Sequence, residues 1–154
     1  MARADEMMQA LLQHSPDSIF FKDLGGKFVA VSEAKAANSG TTIEDMVGKT
    51  DFDFLLQEQA EAITQDDKAV IETGESIVDK VEKLTRPDGT ETWVSASKAP
   101  WRDAEGKIIG EVTNVSGPQC APLSAWLDEI GDVIDDRSTP DYHKQSYQTI
   151  KTGR

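Results

Sequence analysis

The alternation of apolar and polar positions divides the first 117 residues into a leading helix, two strands, a helical block and three further strands. Residues 4–13 place apolar side chains at helical spacing, which predicts an amphipathic helix that ends before Pro16. Residues 18–22 and 27–31 are aromatic and β-branched runs. The two glycines at 25 and 26 lie between these runs, so the runs are expected to pair as a hairpin.

Helical spacing continues from residue 33 to residue 73. Gly40 and Gly48 divide this block into two short helices and a longer one, with Asp51 or Asp53 at the start of the longer helix and Gly74 just past its end. Three strand patterns follow at 77–86, 91–99 and 107–115, separated by two turn sequences. This order predicts an α+β fold: a five-stranded antiparallel sheet with short helices on one face.

Beyond Gly117 the pattern changes. Residues 123–134 carry an apolar stripe behind a proline-flanked linker, which predicts a terminal helix. The polar residues from 135 onward predict a partly disordered tail. We therefore expect a flanking helix at 1–14, one domain at 15–117, and a linker, helix and tail at 118–154.

Charge and composition narrow the classes of function. The chain has 28 acidic and 16 basic residues and a formal net charge of -12, so we expect it not to bind nucleic acid, whose phosphates such a field repels. No apolar run could span a bilayer and no signal-peptide pattern is present, which predicts a cytoplasmic chain without membrane contact. Cys120 is the single cysteine, and its surroundings predict a free thiol and no metal site.

Four stretches resemble the PAS family in their order and spacing. They are Ser18-Ile19-Phe20-Phe21-Lys22-Asp23 with Gly26-Lys27-Phe28; Val47-Gly48-Lys49-Thr50-Asp51-Phe52-Asp53-Phe54; Thr73-Gly74-Glu75-Ser76; and Arg86-Pro87-Asp88-Gly89-Thr90 followed by Trp93. The resemblance covers residues 15–116. It implies a sensory module that binds a small ligand or forms a homodimer and regulates an output domain or partner protein, as in two-component or cyclic-nucleotide signalling.

The resemblance does not select a ligand, because PAS domains hold haem, flavin, small acids, lipids or nothing. The long helix has no histidine to serve as an axial ligand, which argues against haem. The helical block has no cysteine, which excludes photochemistry by a cysteinyl-flavin adduct. Flavin held without a covalent bond, through Asn38 and Trp93, and a small organic ligand both stay open.

The expected pocket wall is the apolar surface between the sheet and its helices, with one amide on it. Its residues are Phe28, Val31, Asn38, Ile43, Met46, Phe52, Leu55, Trp93 and Val112. The same apolar residues also fit a filled core, in which case the chain would be an interaction module without a ligand. A cavity would distinguish the two.

The apolar stripe of the leading helix is the expected contact of a homodimer. It consists of Met7, Met8, Leu11 and Leu12. Such a stripe packs either on the sheet of its own chain or on a second copy.

An enzyme is the third alternative, because several carboxylates crowd one region and paired carboxylates can act as acid and base. These residues are Asp51, Asp53, Glu58, Asp66 and Asp67. Acids at a helix start and in a charged helical stretch beside Lys68 have a simpler explanation in the helix dipole and local ion pairs. No Ser-His or Cys-His arrangement accompanies them, so we expect no catalytic activity.

Overall fold

The computed structural model describes residues 2–117; the predictions for 118–154 lie outside the described residues. An antiparallel sheet forms the centre of this part of the chain. Its five strands run in the order β2-β1-β5-β4-β3. They are β1 (Ser18–Asp23), β2 (Phe28–Val31), β3 (Ile77–Thr85), β4 (Glu91–Arg102) and β5 (Ile108–Ser116). The predicted α+β fold is confirmed.

The helices are α1 (Ala2–His14), α2 (Glu33–Asn38), α3 (Ile43–Met46) and α4 (Gln57–Thr73). Ser32 caps α2 by accepting a hydrogen bond from the Lys35 amide, and Gly74 ends α4 with a φ of 71°. The sequence predicted that Asp51 or Asp53 starts α4, and this prediction was wrong. Both residues form a separate 3₁₀-helical turn, because Thr50 and Asp53 make a reciprocal capping box there.

The core lies between the sheet and the short helices. Phe20 of β1 and Phe28 and Val31 of β2 lie against Met46 of α3, and all four side chains are buried. A register shift in the β1–β2 pairing puts Phe28 and Val31, three positions apart, on the same face. The rings of Phe20 and Phe28 meet edge to face with centroids 5.5 Å apart. Burying each such side chain is worth about 1.5–3 kcal/mol, so this cluster fixes the helices on the sheet.

The opposite face of the sheet carries the alternate side chains. Phe21 pairs with Val112 across β1 and β5, and its ring lies 5.3 Å from that of Trp101. Trp93 belongs to this face as well, because its neighbour Val94 is buried on the core side. The register of the strands therefore separates Trp93 and Val112 from the space beneath the helices.

Helix α1 is amphipathic, as predicted, but it contributes no buried residue to the described structure. Met7, Met8 and Leu11 are exposed, with Met7 at 67%. No helix within residues 2–117 has both the length and the apolar character needed to cross a bilayer.

Candidate functional site: a lysine over aromatic rings beside a buried charge cluster

A lysine lies over the aromatic rings of the core. Ser32 binds the amide of Ile19 in β1 through its hydroxyl, at 3.0 Å, and caps α2 with the same oxygen. This places Lys35, in the first turn of α2, with its Nζ 4.6 Å from the ring centroid of Phe20 and 5.6 Å from that of Phe28. The ammonium group is therefore held against two π faces by a short, capped helix.

The pKa of Lys35 is lowered to about 8. Burial is the main cause; repulsion by Lys22, Lys98 and Arg86 adds to it, and attraction by Asp51 opposes it. Among residues 2–117, no carboxylate forms an ion pair with Lys35. Within the described residues, no ion-paired carboxylate therefore offsets the burial of the Lys35 ammonium.

The structure brings together four of the predicted pocket residues. Phe28, Val31 and Met46 are in the core cluster and Ile43 packs against it. Leu55 is also buried, outside that cluster.

The other predicted pocket residues lie elsewhere. Phe52 is 49% exposed, and Asn38 is an exposed residue whose amide donates to the Ser18 hydroxyl at 3.2 Å. Trp93 and Val112 are on the outer face of the sheet, so the prediction that they line the space under the helices was wrong. Asn38 and Trp93 were the side chains expected to hold flavin, and neither lies in the described core.

Next to the aromatic rings, five charged side chains form a buried cluster between the sheet and α4. Lys22 of β1 pairs with Asp51 and, at 2.8 Å, with Asp67 of α4. The second oxygen of Asp67 accepts from Lys98 of β4, also at 2.8 Å. The ammonium of Lys22 also lies 3.9 Å from the carboxylate of Glu111 in β5.

Burial and pairing shift the pKa values of this cluster in different directions. Burial by itself would lower the pKa of Lys22, but the negative charges of Asp51, Asp67 and Glu111 outweigh it and raise the value. Burial raises the pKa of Asp67, yet Lys22 and Lys98 bring it below its usual range. Burial raises the pKa of Glu111 to about 7, with Lys98 opposing the shift.

Four residues of this site were not predicted from the sequence: Lys22, Lys35, Lys98 and Glu111. Asp51 and Asp67 were expected at a helix start and in a charged helical stretch. Both acids are buried, at 5% and 6% exposure. A signal was present in the strands, because Lys22, Lys98 and Glu111 occupy the same alternation as buried apolar residues. Charged residues at core-facing positions indicate a buried polar network.

A cavity of about 110 Å³ opens beside this cluster. It is bounded by the β1–β2 turn, the 3₁₀ turn and α4. Three of its lining residues, Asp51, Asp67 and Glu111, are carboxylates of the cluster. This cavity and the aromatic core meet at Lys22, whose Nζ is also 5.4 Å from the ring centroids of Phe20 and Phe28.

Comparison with known proteins agrees with this geometry. The family model described as PAS fold matches residues 12–115. A structure of VqmA bound to DPO is 31% identical to this chain, with a TM-score of 0.65, and the match covers 75% of this chain and 59% of that one. A comparison with curated proteins gives no match.

Two structures of VqmA from Vibrio cholerae are 32% identical, with TM-scores of 0.64. One is described as a dimer in the absence of target DNA and the other as a VqmA-ligand-DNA complex. Each match covers 72% of this chain and 50% of that one. This chain therefore spans only half to three fifths of the length of these VqmA chains.

Because the family model covers most of its length, the chain belongs to the PAS family and is a sensory-type domain.

The expectation that nucleic acid is no partner is overturned by the VqmA structures, since these similar proteins bind target DNA. The net charge of the chain was the wrong basis for that expectation. A net charge of -12 describes this chain alone, and it sets no limit on DNA binding by a longer regulator that contains such a domain.

Proposed function

We propose that this domain senses a small ligand held between the aromatic core and Lys35. The observation that carries the proposal is the half-buried Lys35 ammonium over the rings of Phe20 and Phe28. The rings favour a flat apolar body, and the lysine favours an acceptor atom on it. A small ligand with both features matches this part of the core.

The similarity to VqmA bound to DPO supports this proposal. DPO is therefore the first compound to test. The regulated output is proposed to be DNA binding by a dimer, because VqmA is described as a dimer and as DNA-binding. Helix α1 is proposed as the dimer contact because its apolar side chains are exposed. Two-component and cyclic-nucleotide outputs receive no comparable support.

We also propose that the domain is not catalytic. Asp51 and Asp67 are neutralised by buried lysines, and Glu111, whose pKa is raised, is 0% exposed. Carboxylates held in buried ion pairs of this kind stabilise the fold, whereas an acid–base catalyst has to exchange its proton with a substrate.

Calorimetric titration with DPO tests the ligand pocket. We expect the wild-type chain to bind and Lys35→Met to bind about 10- to 100-fold more weakly, which is the loss of one hydrogen bond to a charged donor. Lys27→Met is the control, since Lys27 is exposed in the β1–β2 turn. No binding by the wild type, or equal affinity in Lys35→Met, would contradict the proposal.

A further inference from the structure

The cavity beside the charge cluster has its own chemistry, distinct from that of the aromatic core. Its volume of about 110 Å³ is below that of the roughly 150 Å³ cavity that accepts benzene, so it suits a molecule of a few heavy atoms. Its wall combines acids with three apolar side chains. The apolar ones are Leu24, Phe52 and Ile71.

The charges of the buried cluster do not balance. Asp51, Asp67 and Glu111 supply three carboxylates, whereas Lys22 and Lys98 supply two ammonium groups. Asp23 and Lys68 add one charge of each sign to the lining and leave the balance unchanged. With every carboxyl group ionised, the five side chains carry one more negative charge than the two ammonium groups paired with them; Lys35 attracts Asp51 but forms no ion pair with it, and a buried unpaired charge is costly.

Glu111 is the side chain whose hydrogen bonding is incomplete. Its Oε1 accepts from the Thr113 hydroxyl at 2.9 Å. Its Oε2 is enclosed and has no hydrogen-bond partner within the described chain. Since buried carboxylate oxygens are normally paired, this atom marks the place where a donor is missing.

We propose that the cavity binds a small monovalent organic ammonium ion. The positive end lies toward Asp51, Asp67 and Glu111, where it supplies both the missing charge and the missing N–H donors. The short apolar body lies against Leu24, Phe52 and Ile71. No cluster of acids, histidines or cysteines in the described residues is placed to hold a metal ion, so an N–H donor fits the wall better than a metal.

A proton competes with the ammonium ion for the same charge. The groups that face Glu111 are Lys22 on β1, Lys98 on β4, Asp67 on α4 and its neighbour Asp51 in the 3₁₀ turn. Because Glu111 has a pKa of about 7, the empty site takes up a proton below neutral pH. Binding of the ammonium ion then requires that proton to leave.

Titration with propylammonium chloride, followed by calorimetry or amide chemical shifts, tests the site. 1-Propanol is the neutral control of nearly the same shape, and sodium chloride controls for ionic strength. Propylammonium is expected to bind about tenfold more tightly at pH 8 than at pH 6, because the ionised fraction of a group with a pKa of about 7 rises tenfold. 1-Propanol is expected to bind at neither pH.

Glu111→Gln keeps the shape of the side chain and removes its charge. This variant is expected to bind propylammonium at least tenfold more weakly, and its affinity is expected not to depend on pH. Glu82→Gln is the matched control, since Glu82 is a half-buried acid with a raised pKa outside the cavity. Equal binding of 1-propanol, no wild-type binding at pH 8, or unchanged binding by Glu111→Gln overturns the proposal. If Glu111→Gln fails to fold, the wild-type comparisons decide alone.

This inference goes beyond the proposed sensor function and fails separately from it. The DPO experiment depends on Lys35, whereas the propylammonium experiment depends on Glu111.

Discussion

At the scale of single residues, Lys22 is the centre of the buried charge cluster. Its side chain is 1% exposed and joins β1 to both the 3₁₀ turn and α4 through Asp51 and Asp67. Two charges taken out of water are tolerated only while they remain paired. A substitution at Lys22 therefore leaves Asp51 buried without a partner and Asp67 with Lys98 alone.

Lys22→Met is expected to lower the free energy of unfolding by about 3–5 kcal/mol, the usual cost of breaking a buried pair. Lys80→Met is the control, because Lys80 pairs with Asp66 near the surface and its side chain is 47% exposed. That control should cost under about 1 kcal/mol. Urea unfolding of both variants measures the difference, and equal midpoints would show that the cluster is not stabilising.

Lys35 predicts a pH dependence with a definite sign. Its pKa falls from 10.5 to about 8 on folding, so between these pH values the unfolded chain holds more protons than the folded one. The contribution of Lys35 to the free energy of unfolding is greatest above pH 10.5. It decreases as the pH falls and is lost once the pH has fallen through 8. Lys35→Met should thus be more stable than wild type at pH 7, with a difference that shrinks from pH 8 to 10.5.

Urea unfolding at pH 7, 9 and 10.5 measures this difference, with Lys27→Met as the exposed control. A difference between wild type and Lys35→Met that stays constant over this range would show that the Lys35 ammonium is not desolvated. Together with the weaker DPO binding expected of the same variant, a stabilising effect would mean that Lys35 is kept for binding rather than for stability.

At the scale of elements, the pairing of β1 with β5 sets the geometry of the site. Gly110 lies where these strands approach β4, and a Cβ atom there would be 2.1 Å from the carbonyl oxygen of Lys22 and 3.0 Å from Cε3 of Trp101. Only a hydrogen atom fits at this position. The close approach holds Lys22 and Glu111 side by side on the core face.

Gly110→Ala is expected to destabilise the domain by about 1–3 kcal/mol or more, since backbone would have to move. Gly25→Ala, where the nearest atom is Asp23 Oδ1 at 3.3 Å and no backbone atom is close, should cost less than about 1 kcal/mol. Thermal unfolding of the two variants compares them. If the two variants unfold at the same temperature, the β1–β5 contact is looser than the structure shows.

Much of this element structure could be predicted from the chain alone. The Gly25-Gly26 turn, the end of α4 at Gly74 and the three closing strands are signalled by local residues, and the structure contains all of them. The faces of the strands were harder to predict. Whether Trp93 or Val94 points to the core depends on how β4 pairs with its neighbours, which no local pattern states.

The candidate site could be predicted only in part, for the same reason. Phe28, Val31 and Met46 are apolar and were recognised, whereas Lys22, Lys98 and Glu111 become a cluster only when three strands and α4 meet. Asp67 illustrates the limit: its neighbour Lys68 is exposed and Asp66 is partly exposed, and only the tertiary contact with Lys22 and Lys98 distinguishes Asp67.

At the scale of the whole molecule, α1 remains without a described partner for its apolar stripe. Met7 and Leu11 are 67% and 49% exposed. A homodimer through Met7, Met8, Leu11 and Leu12 stays a prediction of the sequence, and the VqmA dimer supports it as a proposal. In such a dimer, a ligand that changes the position of α2 could alter the contact between subunits, because α1 and α2 touch.

Light scattering after gel filtration tests the dimer. Wild type is expected to have twice the monomer mass of 16.9 kDa, and Leu11→Glu to shift toward the monomer because it puts charge in the apolar stripe. Gln13→Glu adds the same charge outside the stripe and should leave the mass unchanged. A monomeric wild type, or a dimeric Leu11→Glu variant, would remove α1 as the contact.

Native mass spectrometry of the purified chain, beside its denatured mass, tests most directly whether this domain holds a ligand in its core. After incubation with DPO, wild type should carry one added mass that disappears on denaturation, and Lys35→Met should carry much less of it. A bare wild-type mass under conditions that keep the fold, or the same added mass in Lys35→Met, would contradict ligand binding between Lys35 and the phenylalanine rings.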